Sequence, residues 1–157
     1  MTDQDTSTRR LRRWVLAAVI MLGVFVGLGL FTFIYAQGGS YLVDDPAACA
    51  NCHVMWDQYD SWNRGSHQAV ATCNDCHVPH SDPISKWAVK GLNGFNHSMA
   101  FTIGNFPNVI RIRPFNAEVA QANCIHCHEG MVSQIHGALP GEDRPCTDCH
   151  VNPGHGR

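Results

Sequence analysis

The chain has 157 residues, a formal charge of −2, eight cysteines and ten histidines. No basic stripe interleaved with aromatics follows the first segment, which excludes a nucleic-acid-binding face. Setting aside an apolar leading segment leaves about 120 residues, one domain by length, with few large aliphatics. A protein core of ordinary type would be thin there, so something else must supply the apolar interior.

Arg9, Arg10, Arg12 and Arg13 form a basic cluster, and the 23 residues from Trp14 to Ala36 carry no charge. As a helix that run spans about 34 Å, enough for a hydrocarbon layer of about 30 Å. Trp14 and Tyr35 suit the two interfaces. A cleaved signal peptide has an apolar stretch of about 7–15 residues, so the run reads as a retained anchor, although Ala36-Gln37-Gly38-Gly39-Ser40 would offer a peptidase small residues. The leading arginines place residues 1–13 in the cytoplasm, 14–36 across the inner membrane as a single pass, and 37–157 in the periplasm. The lipid bilayer is thus one partner.

Asp45 then Pro46 reads as an N-cap followed by a first helical proline, so a short helix should carry the first cysteines. Met55, Tyr59 and Trp62 continue at helical spacing. Asp82 and Pro83 repeat the start signal, for a helix from Ile84 to Lys90 that Gly91 and Gly94 should end. Phe101 to Phe115 reads as loop, and Asn116 as the cap of a helix from Ala117 to Asn123. Little sheet is expected.

All eight cysteines fall in four CxxC pairs, each followed at once by histidine: Cys49/Cys52/His53, Cys73/Cys76/His77, Cys124/Cys127/His128 and Cys146/Cys149/His150. Two thiols at this spacing reach the two vinyl groups on one porphyrin edge, and the adjacent histidine falls under the iron. Structural zinc and a disulfide framework would both leave the four histidines unexplained. The motifs therefore imply four covalently bound haem c groups, whose macrocycles replace the missing core. The first cysteines are separated by 24, 51 and 22 residues, which suggests two pairs joined by a longer connection.

Each iron has a sixth position. Histidines outside the motifs are His67, His80, His97, His126, His136 and His155. His126 lies between two haem-bound cysteines and is a poor candidate; spacing does not allot the rest. Met55, two residues past His53, offers a thioether that either ligates iron or fills space.

Four stretches resemble the NapC/NirT family of membrane-anchored quinol-oxidising cytochromes: Cys49-x-x-Cys52-His53-x-Met55, residues Ala71 to Pro79, Gly94-Phe95-Asn96-His97-Ser98-x-Ala100-Phe101-Thr102, and Cys149-His150-x-x-Pro153-Gly154-His155. The resemblance covers nearly the whole chain. It implies a mainly α fold with extensive loops: one N-terminal transmembrane helix plus a compact multihaem cytochrome c domain. It implies that Met55 ligates the first haem in place of His53. His67 would be the distal ligand of the fourth haem, on His150, and His155 that of the third, on His128. The second haem, on His77, would take its sixth ligand from a lysine of a catalytic partner. Lys90 matches a family lysine near the quinol-facing first haem, and His97 stands where the family can carry an aspartate. His97 could ligate the first iron or hydrogen-bond a quinol, with Asn96 as the alternative residue at that place.

The implied function is oxidation of menaquinol and transfer of electrons to a pentahaem cytochrome c nitrite reductase that makes ammonium. This chain is then the quinol dehydrogenase subunit, not the nitrite-reducing one. An alternative keeps the electron path and changes the partner to another periplasmic reductase, such as nitrate reductase. A histidine of this chain on the second iron would favour that alternative. A terminal reductase with its own open iron is a third possibility, opposed by small size and the lack of a catalytic loop. For Lys90 the competing reading is a solvated charge at a helix end.

Overall fold

The computed structural model describes residues 3–135 and 144–155. These are helices and turns, with no strand among the described residues. Contacts divide the chain into two units, one up to Gly39 and one from Ser40 onward.

The first unit is helix α1 (Asp3–Tyr35). Its stretch Asp5–Tyr35 has a mean hydropathy of 2.5, long and apolar enough to cross a membrane. Leu16, Ile20, Phe25 and Leu30 are all exposed, and an apolar helix of this length fits a single-pass anchor. The arginine cluster lies in the same helix, where Arg9 pairs with Asp5 at 2.8 Å. Gln37, at φ 50, turns the chain out of the helix.

In the second unit the cap signals act largely as the sequence suggests. Asp45 accepts the Ala47 N–H at 2.9 Å and opens α2 (Pro46–Cys49). A tight turn, His53–Met55, leads into α3 (Trp56–Asn63). The second motif is itself helix α4 (Cys73–His77). Asp75 reaches back to accept both the N–H and the hydroxyl of Thr72 at 2.8 Å, which satisfies orphan donors at the helix start. Asp82 accepts the Ser85 N–H at 2.9 Å and opens α5 (Pro83–Ile103).

The expected stop at Gly91 and Gly94 does not occur. The helix runs on to Ile103, and left-handed Gly104 (φ 65) closes it. A glycine inside a helix costs only about 1 kcal/mol relative to alanine, and packing explains Gly94. A Cβ there would stand 3.2 Å from the Tyr41 ring. The start of the expected 101–115 loop is therefore helix. α6 (Pro114–Ile135) begins ahead of Asn116 and bends at His128, the histidine of the third motif. Asn116 lies inside it and donates to Asn93 Oδ1 at 3.0 Å instead of capping. A short turn, Cys146–Asp148, carries the fourth motif.

Among the described residues the buried apolar side chains are Val78 and Val89 alone, matched by two buried polar ones, Lys90 and Asn123. Asn123 donates from Nδ2 to the Val78 carbonyl at 2.8 Å and the Cys76 carbonyl at 3.1 Å. One amide thereby ties α4 to α6, and so the second motif to the third.

Candidate haem attachment sites

None of the eight cysteines forms a disulfide. The Cys49 and Cys73 thiols lie close enough to act on each other's ionisation, as do Cys124 and Cys146. The first cysteine of motif one thus meets that of motif two, and motif three meets motif four in the same way. Cys76 in turn feels Cys124 and Cys127, so motif two also adjoins motif three, and the four motifs do not separate in space into the two pairs suggested by the uneven spacings. The neighbouring Cys73 lowers Cys49, while Cys49 and burial push Cys73 up. Gln121 Oε1 on α6 accepts the Cys146 N–H at 2.9 Å and holds the fourth motif against that helix.

At the first motif His53 is exposed and Met55 half-buried. Burial and the neighbouring His155 and His97 push the His77 pKa down, which favours the neutral imidazole that a metal ligand requires. The His77 and His155 rings lie 6.0 Å apart with planes 9° from parallel. His67 meets His128 edge-on at 6.1 Å, and its Nδ1 stands 2.6 Å from the Pro153 carbonyl. Donation from Nδ1–H to that carbonyl fixes the tautomer and leaves Nε2 as the free nitrogen. These ring contacts differ from the expected pairs, His67 with His150 and His155 with His128, neither of which shares a ring contact among the described residues. The reason is the course of the chain after His150: its turns carry Pro153 to His67 and His155 to His77. His150 itself is exposed. His80 and His126 stack on each other at 5.2 Å, and His136 lies outside the described residues.

Lys90, Gly94 and His97 recur at the spacing of one helix face along α5. The Tyr41 ring packs against Gly94 and lies 6.5 Å from the His97 ring. Burial, then Cys52 and Cys49, push the Tyr41 pKa up, and Lys90 acts electrostatically on Cys49. Ser40, beside Tyr41, accepts from Asn51 Nδ2 inside the first motif at 2.5 Å, so the face looks onto that motif. Because α5 is unbroken, Lys90 and His97 need no glycine hinge to meet there. Burial and Arg113 push the His97 pKa down.

Lys90 is neither at a helix end nor solvated. Its side chain is 5% exposed, donates to Asp44 Oδ1 at 2.8 Å and the Val43 carbonyl at 3.1 Å, and lies 5.0 Å over the Trp87 ring. Asp44 also accepts from Lys86 at 3.0 Å and Asn74 at 2.7 Å. The Lys90 and then the Lys86 hydrogen bonds hold its carboxyl well below the usual carboxylate range. An ammonium so paired is a donor, not a proton acceptor. Sequence reasoning named neither Tyr41 nor Asp44 as a site residue. Nothing in the sequence pattern marked either.

The model of the NapC/NirT cytochrome c family, N-terminal region, matches residues 9–109. The chain belongs to the NapC/NirT cytochrome c family. Cytochrome c-type protein NrfH of Wolinella succinogenes is 33% identical over 153 residues, covering 91% of this chain and 86% of that protein. Cytochrome c nitrite reductase subunit NrfH of Nitratidesulfovibrio vulgaris is 30% identical over 130 residues, covering 83% of this chain and 79% of the relative. A solved cytochrome c nitrite reductase NrfHA complex bound to the HQNO inhibitor contains a chain that superposes with a TM-score of 0.61 at 29% identity, covering 88% of this chain and 91% of that one.

A member of this family carries covalently bound haem c, and the residues fit the group. Paired thiols stand on helical turns beside histidines. Among its described residues the second unit has almost no polypeptide interior, yet Trp56, Trp87, Phe95 and Phe115 stand exposed. Apolar side chains without a core of their own are what large porphyrin surfaces would cover.

Proposed function

We propose that this chain is a tetrahaem cytochrome c, anchored by residues 14–36 with residues 1–13 cytoplasmic and 37–157 periplasmic. It oxidises menaquinol and passes the electrons to a pentahaem cytochrome c nitrite reductase. The observation that carries the quinol half is the α5 face, where Lys90 and His97 stand beside Tyr41 and the first motif. The partner half is supported by a relative described as a nitrite reductase subunit and by the related nitrite reductase complex.

When bound, haem c supplies reversible one-electron chemistry at each motif. Cys49, Cys52, Cys73, Cys76, Cys124, Cys127, Cys146 and Cys149 hold it covalently. Met55, His67, His77, His128, His150 and His155 would hold the irons, and Met55 being half-buried while His53 is exposed supports it over His53. A quinol must lose two protons as it loses two electrons. His97, its pKa pushed down, receives a hydroxyl proton or hydrogen bond, and Lys90 holds the ring oxygen as a donor.

A second reading takes the same electrons to another periplasmic reductase, such as nitrate reductase. The closeness of His155 to His77 favours it, because a second iron capped within the chain needs no lysine from a partner. The test is purification of full-length protein from membranes in mild detergent. Intact mass should show four haem additions, and a pentahaem nitrite reductase should co-purify and make ammonium from nitrite with menaquinol as reductant. Failure of menaquinol to reduce the haems would sink the proposal; a different co-purifying reductase selects the second reading.

A further inference from the structure

Asp44 belongs to no haem motif, yet three segments of the second unit meet on it. Its Oδ1 accepts from Lys90 Nζ at 2.8 Å and Asn74 Nδ2 at 2.7 Å, and its Oδ2 accepts from Lys86 Nζ at 3.0 Å. The preceding carbonyl, of Val43, takes a second bond from Lys90 at 3.1 Å and one from Asn74 at 3.3 Å. The pairing is asymmetric: the Lys90 side chain is 5% exposed and that of Asp44 47%. A cation this buried stays in place only with a partner, and here the chain just ahead of the first motif supplies it.

An ammonium has three N–H donors. Two are taken by Val43 and Asp44, and Trp87 covers one side at 5.0 Å. One donor remains. We propose that Asp44 is the positioning residue for Lys90, turning that last N–H toward the oxygen of a quinol-type ring docked between Lys90 and His97 along the edge of Tyr41. The inference rests on the reading that this face receives the quinol. It also assigns Lys90 a definite role, which is to hold the ring oxygen. The proton leaves by another group, since a paired ammonium has no lone pair to accept it. Lys86 touches only the outer carboxylate oxygen and lies outside this role.

The experiment uses full-length holoprotein in lipid nanodiscs, with HQNO binding followed by fluorescence quenching and menaquinol-driven haem reduction by stopped flow. Haem content and dithionite reduction serve as controls. Asp44→Asn is expected to weaken HQNO binding and raise the KM for quinol about tenfold, the size of one lost charge-assisted hydrogen bond, with the controls unchanged. Lys90→Met should lose as much, and Asp44→Asn should add nothing in the Lys90→Met background. Lys86→Met should match the parent. Parent-like Asp44→Asn beside an impaired Lys90→Met overturns the positioning role while leaving the quinol face standing. Additive losses, or a Lys86→Met loss equal to that of Asp44→Asn, overturn it as well. If Lys90→Met and Asp44→Asn both match the parent, the quinol reading of the face falls and takes the inference with it. Should Asp44→Asn be recovered without haem, Asp44→Ser is compared in the same way.

Discussion

Asn123 is where one side chain should matter most to stability. It is 5% exposed, and its amide donates to the Val78 and Cys76 carbonyls at 2.8 and 3.1 Å. Asn123→Ala removes both bonds and leaves buried carbonyls without a donor. Each bond is worth about 1 kcal/mol net and an orphaned buried acceptor about 1–3 kcal/mol, so the expected loss is about 3 kcal/mol. At roughly 4 °C per kcal/mol for a unit of this size, the melting temperature should fall by about 10 °C. The assay is thermal unfolding of the holoprotein by far-UV circular dichroism, with covalent haem counted by mass so that only fully loaded protein is compared. Asn123→Asp should be worse, because a carboxylate would face two carbonyl oxygens with nothing to donate. Melting of either variant within about 2 °C of the parent would refute the view that this amide ties the second motif to the third.

Asp44 is stabilised as the carboxylate, its pKa lying below the unfolded value. Its contribution is therefore present above the unfolded pKa of about 3.9 and is lost as pH falls through the folded one. In urea titrations the stability gap between parent and Asp44→Asn should be flat from about pH 5 to 8 and shrink below about pH 4; a gap that widens on acidification contradicts the pairing. Gly91 is exposed mid-helix, and a Cβ added there would meet nothing within 4 Å, so Gly91→Ala should stabilise by about 0.5–1 kcal/mol. Gly94→Ala should lose that gain against the Tyr41 ring, and equal chemical-denaturation midpoints for the two variants would contradict the packing. Met55→His should shift one haem to a low-spin, histidine-bound spectrum; four unchanged haem spectra and potentials would return Met55 to packing.

The local starts were readable because their chemistry is local. Asp45-Pro46 and Asp82-Pro83 each place an acceptor and a preset φ where a helix needs them, and both open helices. The end of α5 was misread because Gly91 and Gly94 were weighed by propensity. What decides Gly94 is Tyr41, 53 residues earlier, whose ring fills the space a Cβ would occupy. Lys90 failed in the same way: its partner Asp44 lies 46 residues away, beyond any periodicity. The motifs were visible in full, since vinyl spacing fixes them within five residues. The histidine contacts were not, because they depend on where the turns after His150 carry Pro153 and His155.

The link from Asn74 through Asp44 to Lys90 joins the interior of the second CxxC to the α5 face. Two sites that share one carboxylate are thermodynamically coupled, and the coupling is symmetric. Any event at the second motif that draws Asn74 away, whether docking of another protein or a change of axial ligand, alters how firmly Lys90 is held. Occupation of the face by a ligand must then feed back on that event by the same factor. If the α5 face takes in electrons and the second motif passes them on, as proposed above, the two ends would sense each other through equilibrium binding before any charge moves between them.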